Sequence, residues 1–253
     1  MMATESTPVQ LHPAKYLQAK AEGSNGDSGL ALIILNSPIS DHEGFRQLYR
    51  HASFRLCADG GANRLYDAFG TESDVLPDLI HGDLDSLDDT VRQAYEKLGV
   101  QVSEDPDQYS TDFGKAIKTV IEHMPEASDI LIHGSLGGRV DQGIGLLHEL
   151  YREQKFRHPK VRFWLFTEAS VSILLQPGRN MLHTPLGISL IKRNIGILPL
   201  YGPANISTQG LEWDVDSWPT EMGGQVSTSN HIVADSITIE TDHDVLFTVE
   251  KAL

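Results

Sequence analysis

The stretch from His81 to Asp89 reads HGDLDSLDD and packs four aspartates into a chain that already carries a formal charge of −15. Crowded carboxylates repel one another, so the cluster reads either as a solvated helix start or as a place prepared for a cation. Residues two apart in an extended segment point the same way with Cα atoms about 6.6 to 6.8 Å apart, so Asp83 and Asp85 can converge on one ion. Magnesium takes one or two carboxylates, keeps several waters and completes its shell with phosphate oxygens. Zinc would ask for His or Cys, and no histidine pair stands at helix-face metal spacing. Taken singly, Asp85 and Ser86 are explained as well by capping the helix that follows.

Similar residues recur wherever an apolar run ends. LALIIL (30–35) leads into Asn36, RLCAD (55–59) ends on Asp59 before Gly60 and Gly61, and LPDLIHG (76–82) gives way to Asp83. DILIHG (129–134) is followed by Ser135-Leu-Gly-Gly138-Arg139-Val-Asp141-Gln142. Ligands of an open parallel sheet bind outside the carboxyl ends of its strands. Glycines there let backbone N–H groups approach an anion, and the next helix N-terminus favours it. Asp107-Gln108-Tyr-Ser-Thr111-Asp112 enters a further helix, with Ser110 or Thr111 as cap and Asp112 in a first turn that favours a carboxylate whatever its task.

These residues need a scaffold of alternating strands and helices. Short apolar runs, with VQVSE (100–104) and VRFWLF (161–166) completing the set, alternate with segments whose apolar residues recur three and four apart, as do Phe113, Ile117, Val120 and Ile121. The spacing predicts helices over SLDDTVRQAYEKLG, STDFGKAIKTVIEHM and RVDQGIGLLHELYREQ, hence an open, mostly parallel sheet with flanking helices over 27–168. From 169 to 253 no helix-length period remains, and short strands punctuated by Gly, Pro, Asn and Ser predict a smaller all-β sandwich. Residues 1–26 read as a flexible tail without an apolar signal core. No apolar run is long enough to span a bilayer. An acidic chain without a Lys/Arg run argues against a nucleic-acid partner. The lone Cys57 sits in an apolar run as a small core residue, and a reducing, cytoplasmic setting fits it.

Taken in order, Asp59-Gly-Gly-Ala-Asn-Arg64, Gly82-Asp-Leu-Asp-Ser86, Asp107-Gln-Tyr-Ser-Thr-Asp-Phe113, Gly138-Arg-Val-Asp-Gln142, Gly210-Leu-Glu-Trp213 and Val226-Ser-Thr-Ser-Asn230 resemble the motif series of the eukaryotic thiamine pyrophosphokinase family. The resemblance runs from about residue 30 to the C-terminus. It implies an α/β nucleotide-binding catalytic domain and a β-sandwich thiamine-binding domain. It also implies a homodimer with active sites shared between chains, in which Mg-ATP converts thiamine to thiamine diphosphate and AMP. Carried over residue by residue, it implies that Asp83, Asp85 and Asp112 hold Mg2+ and that Arg139 serves the reaction. Asn36, Asp59, Gly60, Gly61, Arg64, Ser86, Gln108, Thr111, Gly138, Asp141 and Gln142 then lie on the ATP and phosphate side.

Thiamine is a cation with two aromatic rings, and Trp213 offers it a flat face while Ser227, Ser229 and Asn230 offer hydrogen bonds. Without the resemblance, Trp213 reads as sandwich core and Ser227–Asn230 as a hairpin turn. Either Asp112 or Asp85 can take the hydroxyl proton, and the base stays unassigned. Two other functions fit the residues: a kinase moving only the γ-phosphoryl group to a small alcohol, and a non-catalytic nucleotide or thiamine sensor.

Overall fold

The computed structural model describes residues 7–20, 25–187 and 189–252. The chain divides into two compact units, one spanning Ala19–Glu168 and the other built from Ala169 onward together with the residues up to Gln18. The flexible tail expected over 1–26 is therefore corrected where it is described. The strand β1 (Val9–Leu11) pairs in parallel with a later strand at Asn180–Leu182, and Leu11 is buried. An edge strand with unpaired N–H and C=O groups is a template for such an addition. Residues 1–6 and 21–24 of that expected tail lie outside the described residues.

The first unit alternates strand and helix: β2 (Asp27–Ile34), α1 (His42–His51), β3 (Ala52–Ala58), α2 (Gly61–Phe69), β4 (Leu79–Gly82), α3 (Asp89–Lys97), β5 (Gln101–Glu104), α4 (Asp112–His123), β6 (Asp129–His133), α5 (Val140–Arg152) and β7 (Arg162–Phe166). The sheet order is β7-β6-β2-β3-β4-β5, and each of these pairings is parallel. Central β2 buries Leu30 through Ile34 on both faces, which is why it reads as a continuous apolar run rather than an alternating one. Helix α4 buries Phe113, Ile117 and Val120 on one stripe. Helices α1 and α2, which the sequence reading did not mark, are short and carry their buried residues amid Arg, His and Asn.

Register makes the strands end level. Ile34 stands beside both Cys57 and His133, and Ala58 beside His81. The connection leaving β2 runs to β3 and the one leaving β6 runs the opposite way to β7, so a crevice opens at the carboxyl ends between β2 and β6. At the other end of β6, Asp129 accepts from Arg162 Nε (2.9 Å), Arg162 Nη2 (2.5 Å) and Trp164 Nε1 (2.7 Å). That triad ties β7 to β6 below the crevice.

The second unit holds β8 (Ser170–Leu175), β9 (Gly178–His183), β10 (Ile191–Leu198), β11 (Ala204–Gln209), β12 (Trp218–Thr220), β13 (Ser227–His231), β14 (Ser236–Thr241) and β15 (Val245–Lys251). One sheet runs β1-β9-β14-β11-β12, and β13-β10-β15-β8 are hydrogen-bonded neighbours in the other. Alternate residues are buried, as with Ile237 and Ile239 on β14 and Val245, Phe247 and Val249 on β15.

Candidate active site

The chemistry of the first unit collects at the level strand exits. One carboxylate oxygen from each of Asp59, Asp83 and Asp112 lies within 4.8 Å of the others. Gly82 makes this approach possible. A Cβ there would stand 2.9 Å from Asp59 Cβ and 3.2 Å from Asp112 Oδ1, so any side chain would push the carboxylates apart. Asp59 (φ 43°) and Leu84 (φ 63°) sit in the left-handed region although neither is glycine. Such strain at a site persists only where the surrounding structure enforces it.

Leu84 also explains a difference from the sequence reading. Its left-handed turn breaks the extended geometry that would aim Asp83 and Asp85 the same way. Asp85 is exposed and accepts from Ser86 Oγ (3.0 Å), and Asp59 stands in its place among the clustered carboxylates.

The cluster is poorly satisfied without a ligand. Among the described residues, buried Asp59 Oδ1 and Asp112 Oδ1 have no hydrogen-bond partner. Burial pushes the Asp59 carboxyl above its ordinary value, with Asp83 adding like charge, although hydrogen bonds from Ser86 and Gly60 pull the other way. Burial does the same to Asp112, reinforced by Asp83 and Asp59 and opposed by Lys115. Carboxylates held close and short of donors fit a hard divalent cation.

Around the cluster lies a cavity of about 960 Å³ lined by Asn36, Asp59, Gly60, Asp83, Ser86, Thr111, Asp112, Gly138, Arg139 and Gln142, among others. Gly60 has no room for a Cβ, which would lie 2.5 Å from Asn36 Nδ2, and one on Gly61 would lie 2.2 Å from the Ile34 carbonyl. Asn36 Oδ1 accepts from Arg64 Nε (2.8 Å). Gln108 Nε2 reaches Asp83 Oδ2 at 3.4 Å, and Thr111 caps α4 by accepting from Gly114 N (3.1 Å). Arg139 is 74% exposed, and its fork is taken up by Asp141, with Nη2 to Oδ2 at 2.6 Å and Nε to Oδ1 at 3.2 Å. An exposed pair of this kind is weak enough to open for a phosphate.

Residues not singled out in the sequence also belong here. Asn63 donates to the Ser86 carbonyl (2.7 Å) and accepts from Asp88 N (3.1 Å), which ties the Asp83–Ser86 loop to α2. Buried Glu149 lines the cavity from α5. Buried Lys115 touches the cluster one helical turn after Asp112, and that three-residue spacing was readable.

In the second unit, Trp213, Trp218, Ser227, Ser229 and Asn230 line a separate pocket of about 430 Å³ with Val215, Val226 and Ile197. The Trp213 indole is 55% exposed rather than core. Asn230 is buried and turned inward: its Oδ1 accepts from Trp213 N (3.1 Å) and His231 N (2.8 Å), and its Nδ2 donates to the Trp213 carbonyl (2.8 Å). It therefore clamps the turn that presents the indole. Trp218, from the short strand β12, was missed because nothing in its neighbourhood marks it.

Known proteins match both units in order. The model of the thiamin pyrophosphokinase catalytic domain matches residues 45–163, and that of the thiamin pyrophosphokinase vitamin B1 binding domain matches residues 181–246. Thiamine pyrophosphokinase 1 of Arabidopsis thaliana is 35% identical, with 95% of this chain and 93% of the relative covered. Thiamine pyrophosphokinase of Saccharomyces cerevisiae is 30% identical, with 89% and 86% covered. The structure of thiamin pyrophosphokinase from Candida albicans superposes with a TM-score of 0.82 at 26% identity, covering 99% of this chain and 95% of that one. The chain belongs to the thiamin pyrophosphokinase family.

Proposed function

We infer that the protein transfers the pyrophosphoryl group of ATP to the hydroxyl of thiamine, giving thiamine diphosphate and AMP. The observation that carries the chemistry is the trio Asp59, Asp83 and Asp112, which lines a cavity at the strand exits and holds two oxygens, Asp59 Oδ1 and Asp112 Oδ1, without a hydrogen-bond partner among the described residues. We propose that these three hold Mg2+, with exposed Asp85 available through solvent. Bound there, the ion would neutralise the polyphosphate and leave the β-phosphorus open to attack.

The protein's own groups supply the rest. Gly60 and Gly61 let the first turn of α2 pack close against Asn36 and the end of β2, the nucleotide lies against this turn, and Arg64 with Asn36 bounds the same wall. Arg139 exchanges Asp141 for a phosphate and stabilises charge as it moves to the leaving AMP. Trp213 and Trp218 offer aromatic faces to the thiamine rings, and Ser227 and Ser229 offer hydroxyls. The phosphate-side residues all precede 143 and the thiamine-side residues all follow 209. This separation, with the motif series, supports a homodimer with sites shared between chains. A buried lone cysteine supports a cytoplasmic setting, and no helix among the described residues is long and apolar enough to cross a membrane.

Protein mixed with Mg-ATP and thiamine and followed by phosphorus NMR should give AMP and thiamine diphosphate. ADP as product would select γ-phosphoryl transfer instead, and binding of both substrates without turnover would select a sensor.

A further inference from the structure

We propose that Lys115 is a positioning residue of the acidic cluster. It acts as a fixed internal cation that holds Asp83 and Asp112 together before a divalent ion arrives. The inference rests on the reading of Asp59, Asp83 and Asp112 as a metal site. It is drawn from a side chain that neither the motifs nor the proposed chemistry uses.

Lys115 lies on α4 with its side chain 1% exposed. Its Nζ donates to the Asp105 carbonyl (3.0 Å) and to Asp83 Oδ2 (3.4 Å) and stands 3.7 Å from Asp112 Oδ1. A buried ammonium is costly unless paired and hydrogen-bonded, and here the carbonyl fixes the head while two carboxylates supply the charge. The backbone anchor matters because Asp105 belongs to the loop after β5, whereas Asp83 follows β4 and Asp112 opens α4. One ammonium thus joins three segments.

Lys115 is sealed from solvent, so its charge is compensated by the cluster rather than by water. The empty cluster needs it most. Three clustered carboxylates and one ammonium leave a net negative site, and a divalent cation then enters against the repulsion of a charge already present. Removing the ammonium deprives the empty state of more attraction than it does the occupied state, whose carboxylates are largely neutralised. A divalent ion should therefore bind more tightly without Lys115, while the unfilled protein becomes less stable and the carboxylates lose their alignment for turnover. A lysine that only filled space would change stability without changing ion affinity.

The test is a Mn2+ titration of nucleotide-free Lys115→Met and of the unaltered protein, read as loss of the free-ion EPR signal. The dissociation constant of the variant should be about tenfold lower or more, a modest share of the repulsion between such close charges. Its Tm should gain more from Mn2+ than the unaltered protein gains, and kcat should fall by more than the KM for thiamine changes. Equal or weaker Mn2+ binding by folded Lys115→Met overturns the role of the lysine while leaving the metal site standing. Absence of Mn2+ binding by the unaltered protein overturns both. If Lys115→Met folds only with Mn2+ present, judged by circular dichroism, the ion has replaced the ammonium and the inference holds. If it fails to fold with or without Mn2+, the double variant Lys115→Met with Asp83→Asn decides. Recovery of folding supports charge balance, and continued failure shows that the lysine acts only by packing.

Discussion

Asp112 joins function and instability in one side chain. Its folded carboxyl titrates above its ordinary value because burial disfavours the charge and Asp83 and Asp59 add to it. A group whose folded pKa is raised binds its proton more tightly folded than unfolded. Its contribution therefore favours folding at low pH and is lost as pH climbs from the unfolded value of about 3.9 through the higher folded one. Asp112→Asn removes that ionisation. Without divalent ions it should melt higher than the unaltered protein at pH 7.5, with the gap closing toward pH 4, as a thermal scan across pH would show. Turnover should meanwhile fall on the order of 100-fold or more, because one of the three carboxylates proposed to hold the ion is lost. A lower melting temperature at pH 7.5 would mean that the ion pair with Lys115 outweighs the repulsion. Arg139 poses a different question, since both it and its partner Asp141 are exposed. Arg139→Lys keeps the charge and loses the fork, so kcat at saturating ATP should fall about tenfold if the contact tightens in the transition state. A change confined to the KM for ATP would make it a binding residue alone.

Elements decide where those residues can stand, and here the strand exits and one turn do most of the positioning. The turn carrying Trp213 is pinned twice: by Asn230, and by Asp214, which accepts from Gly210 N (2.9 Å) and Leu211 N (3.1 Å). Asn230→Ala leaves the Trp213 backbone groups unpaired at a cost of about 1 to 3 kcal/mol. The KM for thiamine should rise on the order of tenfold while the KM for ATP stays put, because the clamp lies in the other unit. Equal rises in both would argue for general destabilisation. Asp129 provides a pH-dependent counterpart on β6. Burial alone would raise its carboxyl, but the hydrogen bonds from Arg162 and Trp164 and the charge of Arg162 outweigh burial and hold it below the ordinary value. Its stabilisation is complete above the unfolded value of about 3.9 and is lost as pH falls through the lower folded value. Asp129→Asn should cost about 1 to 3 kcal/mol at pH 7, and acid titration should show that difference shrinking below about pH 4.

At the scale of the whole molecule, the parallel sheet and the run of short strands after residue 169 were readable because apolar runs and punctuation are local signals. Polar strand exits were readable because in an open sheet they must lie at one edge. What escaped depends on pairing and backbone detail. The attachment of Val9–Leu11 to an edge strand leaves no periodic trace in three residues, and the separation of Asp85 from the clustered carboxylates follows one left-handed residue, Leu84. Inward-turned Asn230 looks in sequence like any polar turn residue. The remaining proposal, the shared dimer site, belongs to no single unit and needs a test on the assembly. The residues proposed for the phosphate side precede 143 and those proposed for the thiamine side follow 209, so the proposal needs both sets at one place. A two-fold dimer with shared sites would contain two equivalent sites, each drawing its phosphate side from one chain and its thiamine side from the other. Asp83→Asn lacks a carboxylate of the cluster, and Trp213→Ala lacks the exposed indole, worth about 1 to 2 kcal/mol to a cationic ring. Each variant alone should be impaired, with thiamine kept below the raised KM of the second. After subunit exchange, confirmed by differently tagged chains, a mixed dimer carries both lesions in one site and none in the other. Activity at low thiamine should therefore reappear, approaching half the unaltered rate per mixed dimer. If exchange is complete and activity stays at the average of the separate variants, each site draws on one chain only and the shared-site proposal fails.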